Sequence, residues 1–225
     1  MNSTAASVWW RGEINWDTPA GRALQKFFAV LPADRHFRLT LYGSAPLQLT
    51  LDPHWLSADV DIFSNDDEDL AEWVARAGLN KEAGEFYLEP GFELSFRTSP
   101  RWRDRARVYP LGHVTLTLPH PMDILIGKLD RLDAKDLLAF RRVIELSGHP
   151  TERELCEELQ NAVDLFRPSF DAESPNRYPD NTRRLWRELF GKELDLRRDL
   201  IEPALARRAA GYGGTPPNYK RSLRE

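Results

Sequence analysis

Two aspartates separated by a single valine constrain this chain more than any other feature. They stand in Asp59–Val60–Asp61–Ile62–Phe63, a short run rich in β-branched and aromatic residues that reads as a strand. Side chains at i and i+2 of a strand leave from the same face. The two carboxylates are therefore neighbours, an arrangement that costs energy unless a cation joins them. Upstream, Phe37–Arg38–Leu39–Thr40–Leu41–Tyr42 alternates apolar and polar in the manner of a half-buried strand and ends at Gly43–Ser44. The apolar stretch from Ala45 to Leu51 then provides one or two helical turns. A glycine–serine turn between strand and helix offers backbone N–H groups and a hydroxyl to a phosphate. A hard divalent cation such as Mg²⁺ takes carboxylate oxygens together with substrate phosphates. These parts suit phosphoryl or nucleotidyl transfer, in which positioning and charge neutralisation dominate.

The rest of the chain places this constellation within an α+β fold. Apolar residues recur at helical spacing over Pro19 to Leu31, and Pro32 ends the run. The acidic stretch Asp66 to Ala77 reads as a helix whose first turn holds Asp66, Asp67, Glu68 and Asp69, since negative charge suits a helix N-terminus. Strands are expected at Glu85 to Leu88, Phe92 to Arg97 and His113 to Leu118, the first two joined by a turn at Pro90–Gly91. Helices are expected over residues 122–147, 152–165, 180–190 and 194–210. The predicted organisation is an α/β domain over 1–119, a helical domain over 120–210 and a glycine- and proline-rich tail over 211–225.

Composition narrows the class further. Hydrophobic residues make up 41% of the 225, enough for a sizeable core and incompatible with a disordered chain. No apolar window approaches the ~18 residues of a membrane span, and no basic segment precedes an apolar one at the N-terminus. A single cysteine, Cys156, suits a reducing compartment; a soluble, cytoplasmic protein is expected. Residues 1–166 carry 18 Lys/Arg against 26 Asp/Glu, whereas residues 167–225 carry 13 against 9. That split fits either an acidic catalytic or metal-binding half joined to a basic half able to meet a polyanion, or ordinary scatter of charge on solvated helices.

Two stretches carry a resemblance to a known family. LYGSAPLQLTLDPHWLSADVDIF resembles the GS…DxD signature of the DNA polymerase beta-like nucleotidyltransferases. LPHPMDILIGKLDRLDAKDLLAF is similar to the lysine- and aspartate-bearing helical segment of AbiEii-like members, minimal nucleotidyltransferases followed by a helical bundle. The resemblance implies a nucleotidyltransferase-like mixed sheet with flanking helices, and transfer of a nucleoside monophosphate from an NTP to an acceptor hydroxyl. The implied acceptor is the 3′ end of RNA or tRNA, or a protein, and many relatives act in toxin–antitoxin or phage-defence systems, which would add a cognate antitoxin as partner. Gly43 and Ser44 would hold the triphosphate, Asp59 and Asp61 would bind Mg²⁺ as a two-ion site, and Lys128 would contact a phosphate. Asp136 would orient Lys128 or help bind the nucleotide, and Arg131 and Lys135 would add positive charge. The family's third carboxylate is assigned to Glu93, with Glu89 and Asp104 as alternatives. Without a third carboxylate the expected function becomes a nucleotide- or partner-binding protein that keeps the fold and lacks the chemistry. On a continuous helix Asp136 lies about a quarter-turn from Lys128 and Arg131, a constraint that a loop near Asp133–Ala134 would relax.

Other motifs are less directive. Arginines at 101, 103, 105 and 107 would form one basic face if extended, either clamping phosphates or keeping an exposed strand edge soluble. Trp55 and Trp102 flank the expected site and offer faces on which a base can stack. The five histidines show no zinc-binding spacing, and Cys156 reads as a core residue.

Overall fold

The computed structural model describes residues 9–211 apart from 56, 58, 67, 85, 170–172 and 174. The expected tail from 212 onward and the expected contributions of Asp67 and Glu85 lie outside the described residues. The protein is α+β, built on a mixed sheet of five strands with helices around it. Those strands are β1 (Phe37–Tyr42), β2 (Asp59–Ser64), β3 (Tyr87–Pro90), β4 (Arg107–Leu111) and β5 (Val114–Leu118), in the spatial order β3-β2-β1-β5-β4. β1 runs antiparallel to β2 and parallel to β5, and β2 runs parallel to β3.

Helix α1 (Pro19–Phe28) begins where Thr18 accepts a hydrogen bond from the Gly21 N–H at 3.0 Å, with Pro19 at its first position. Its residues Ala20, Ala23, Leu24 and Phe27, at i, i+3, i+4 and i+7, are buried. They join Leu39, Leu41, Val60, Ile62 and Leu116 in the core on one side of the sheet. Each such fully buried Leu, Ile or Phe contributes roughly 1.5–3 kcal/mol relative to exposure. The other face of β2 carries Asp59, Asp61 and Phe63, as the strand period requires. Phe63 enters a second, larger core with Leu47, Trp55, Phe96 and Trp102 from before residue 119, and with Leu125, Phe140, Leu155 and Trp186 from after it.

α2 (Ala45–Thr50) follows Ser44, and α3 (Ala71–Arg76) follows β2. The acidic residues Asp66, Glu68 and Asp69 precede α3 rather than forming its first turn. Asp66 and Glu68 instead pair with Arg38 and Arg35, and tertiary ion pairs replace the expected helix-terminus role. The expected strand at 92–97 is a 3-10 turn, Glu93–Ser95, after a β3 that starts two residues later than the pattern suggested.

The arginine-rich run is the largest correction. Trp102–Arg105 forms the short helix α4, and Arg107 opens a β4 that the sequence did not signal as a strand. Arg105 is buried between Asp123, at 2.5 Å, and Glu158, at 2.6 Å, while Ser99 donates to Glu158 at 2.6 Å. A guanidinium with two carboxylate partners is satisfied in the core, and α-helical geometry turns it away from Arg101 and Arg103.

The helical half comprises α5 (Pro121–Lys128), α6 (Ala134–Ser147), α7 (Glu152–Asn161), α8 (Tyr178–Phe190) and α9 (Glu202–Gly211), the last entered through a π-helical segment at Leu196–Ile201. The continuous helix expected over 122–147 is two helices. Leu132 takes φ +46°, a left-handed conformation rare for a non-glycine residue. Its side chain is fully buried, and Asp133 caps the new helix by accepting from the Asp136 N–H at 3.0 Å. Among the described residues no helix is long and apolar enough to cross a membrane.

Candidate active site

The break between α5 and α6 brings together groups that a straight helix would separate. Lys128, at the end of α5, places Nζ 2.9 Å from Ser44 Oγ and 3.1 Å from Asp136 Oδ1. Arg131 donates from Nε to Asp136 Oδ2 and from a terminal nitrogen to Oδ1, both at 3.1 Å. Asp136 is fully buried, and its backbone and side chain complete the capping box with Asp133. Burial works to raise its carboxyl, yet the bonds from Arg131 and Lys128 outweigh it and hold the group below the ordinary carboxylate range. Asp136 is thus an anchor that holds two cations beside the Gly43–Ser44 turn.

The acidic wall is built by strand register. Asp61 pairs with Glu89 across the parallel β2–β3 ladder and with Tyr42 across the antiparallel β1–β2 ladder. Residues paired across a ladder share a face, so Asp59, Asp61 and Glu89 all face one cavity. That cavity, about 650 Å³, is also lined by Gly43, Ser44, Ser57, Lys128, Arg131 and Lys135. Gly43 takes φ +64°, and a Cβ there would overlap Asp61 Oδ2. Only glycine allows the turn to approach the aspartate this closely.

The electrostatics report an unbalanced cluster of negative charge. Burial first, then Asp59 and Glu89, lift the Asp61 carboxyl from 3.8 to about 6, against the pull of Lys128 and Arg131. Burial and Asp61 likewise push the Tyr42 phenol up to about 12. A cation placed among the carboxylates would remove this repulsion, and three carboxylates are the hard oxygen donors that Mg²⁺ prefers. Among the described residues no three His, Cys, Asp or Glu side chains are already drawn in tightly enough to hold a metal by themselves. Mg²⁺ does not demand that, since it retains waters and binds through one or two carboxylates plus substrate phosphates.

Of the residues singled out from sequence, Gly43, Ser44, Asp59, Asp61, Lys128, Arg131 and Lys135 share the cavity, and Asp136 stands behind it. Glu93 does not: it lies on the exposed 3-10 turn, 2.6 Å from Arg103. Asp104 pairs with Arg101 at 3.1 Å and also lies outside the lining. Glu89 is the third carboxylate at the cavity. It was legible only as one of several acids, because the choice depends on the β2–β3 register. Ser57 is a lining residue that sequence reasoning did not single out; its hydroxyl donates to the Asp59 carbonyl at 2.8 Å. Trp102 is buried against Phe96 rather than facing the cavity.

The chain matches no family model, no curated protein and no solved structure in the comparisons made.

Proposed function

We propose that this protein is a magnesium-dependent nucleotidyltransferase that moves a nucleoside monophosphate from an NTP to an acceptor hydroxyl. The observation that carries the reading is one cavity with Asp59, Asp61 and Glu89 on a strand face and Lys128, Arg131 and Lys135 around them. Separate acidic and basic walls match the two needs of this chemistry, metal binding and phosphate binding.

Asp59, Asp61 and Glu89 would hold the metal, and bound Mg²⁺ would neutralise phosphate charge and ease deprotonation of the acceptor hydroxyl. Lys128 has three N–H donors, two of which are engaged by Ser44 and Asp136. The third is free for a phosphate oxygen, and the two fixed bonds orient it. Arg131, held by Asp136 yet with a side chain 57% exposed, presents its remaining donors to the same ligand. In the reaction the acceptor oxygen bonds the α-phosphorus, the bond to pyrophosphate breaks, and the hydroxyl proton leaves to a carboxylate or solvent. The acceptor is read as an RNA 3′ end or a protein hydroxyl, by the resemblance described above.

Purified protein incubated with each α-labelled NTP, Mg²⁺, and total RNA or cell extract tests the reading. Label is expected on a macromolecule with the wild type and not with Asp59→Ala/Asp61→Ala. NTP binding without transfer under every condition would leave a nucleotide-binding protein and overturn the enzymatic claim. Absence of both binding and transfer would overturn the whole reading.

A further inference from the structure

A second cavity, about 370 Å³, adjoins the candidate site and shares Lys135 with it. Its walls continue the two elements that build the site. One wall is the loop after α2, the helix that starts beside Ser44, and it supplies Asp52, His54 and Trp55. The other is a stripe of α6, whose first turn carries Lys135 and Asp136, and it supplies Leu138 and Arg142 at helical spacing. Arg142 donates to Asp52 across the two walls at 3.1 Å, which ties them together.

The lining chemistry differs from that of the acidic cavity. His54 and the largely buried Trp55 contribute rings, Leu138 is a large apolar side chain left 61% exposed, and Asp52, Arg141, Arg142 and Glu145 add charge around them. A leucine this exposed at the wall of a concave site is apolar surface available to a ligand. Between this cavity and the carboxylates stands Lys135, which forms no ion pair with another described residue. Carboxylates, then an ammonium, then walls of ring and apolar surface rimmed by hydrogen-bonding groups is the order of chemistry along a nucleotide from metal-bound phosphates to base. The volume falls within the ~300–1,000 Å³ of small-molecule sites, and aromatic faces stack on any base through its π surface.

We propose that the cavity between the Asp52–Trp55 loop and α6 is the nucleobase site of the donor nucleotide, with Lys135 bridging base and phosphate ends. The proposal rests on the nucleotidyl-transfer reading and adds to it the place of the base. Leu138 and the rings give the base apolar contact, and Arg141, Arg142 and Glu145 at the rim supply groups able to hydrogen-bond its edge.

Calorimetric titration of the full chain with each of four NTPs and with inorganic tripolyphosphate, all with Mg²⁺, tests it. The wild type is expected to bind an NTP roughly tenfold more tightly than tripolyphosphate. Leu138→Gln adds no charge, keeps helix propensity and alters an exposed residue, so folding is preserved. It is expected to weaken NTP binding several-fold and leave tripolyphosphate binding unchanged. Equal affinity of NTP and tripolyphosphate, or an NTP affinity untouched by Leu138→Gln, would overturn the base site while leaving the phosphate site standing. Failure of both ligands to bind would overturn this proposal together with the reading beneath it.

Discussion

Asp61 Oδ2 occupies the space that a β-carbon on Gly43 would need. The end of β1 and the acidic strand β2 are therefore matched through one missing side chain, and the turn comes as close to the carboxylates as backbone can. Gly43→Ala must both hold alanine at φ +64° and displace Asp61. The left-handed conformation alone costs about 1–2 kcal/mol. A larger loss is expected in nucleotide binding than in stability, read by denaturant unfolding beside NTP titration. Unchanged nucleotide binding with only the stability loss would refute the coupling between Gly43 and Asp61.

The raised Asp61 carboxyl makes a signed prediction about pH. Its pKa is near 3.8 when unfolded and about 6 when folded, so between those values the folded state binds more protons. Asp61's own contribution to the stability of the metal-free protein therefore falls as pH rises from about 4 to 6, by on the order of 2 kcal/mol, and levels off above. Asp61→Asn is expected to flatten that fall and raise stability at pH 7. Mg²⁺-dependent nucleotide binding runs in the opposite direction, strengthening as Asp61 ionises through about pH 6. Thermal melts across pH with and without Mg²⁺ check both arms.

Asp136 and Asp133 share a capping box and differ in function. Asp133→Ala removes a cap worth about 1 kcal/mol and one carboxylate 3.0 Å from Arg131 Nε, and is expected to weaken phosphate binding less than Asp136→Ala. Asp136→Ala removes the same reciprocal cap, takes the carboxylate from Lys128 and leaves Arg131 only its pair to Asp133. Breaking a fully buried pair costs about 3–5 kcal/mol, and the exposure of Arg131 places this loss at about 2–3 kcal/mol. Tripolyphosphate affinity is expected to drop with Asp136→Ala, and Asp136→Asn is expected to restore stability in part but not affinity. Equal affinities for all three variants would show that Asp136 orients nothing.

Glu89 and Glu93 lie four residues apart in the chain and are predicted to behave oppositely. Glu89→Gln is expected to reduce Mg²⁺-dependent transfer by at least tenfold, or to weaken Mg²⁺-dependent nucleotide binding, with little change in folding. Glu93→Gln removes one exposed ion pair to Arg103, worth at most about 1 kcal/mol, and leaves the site untouched. The reverse ranking would return the third carboxylate to Glu93.

Much of this architecture is readable from periodicity. Strands β1 and β2 alternate on a period of two, α1 repeats at three and four with a capping threonine, and Gly43 marks the turn between β1 and α2. Those signals are local, and local sequence suffices where one face of an element must be buried and the other not. The arginine run illustrates the limit. Alternate arginines suggested an extended basic face, but Arg105 finds Asp123 and Glu158 from distant elements. Sequence spacing carries no record of which carboxylates will be in reach once the core closes.

The sequence by itself determined that Asp59 and Asp61 share a face and that a glycine–serine turn precedes them, because both follow from backbone geometry within a few residues. Tertiary structure alone decided that Glu89 rather than Glu93 joins them, because β2–β3 register sets which side chains are adjacent. It also decided that Lys128, Arg131 and Asp136 meet, because buried Leu132 takes a left-handed turn that starts a new helix at Ala134. A face is a property of one strand or helix, whereas a site needs several of them at a fixed distance, and only packing supplies that distance.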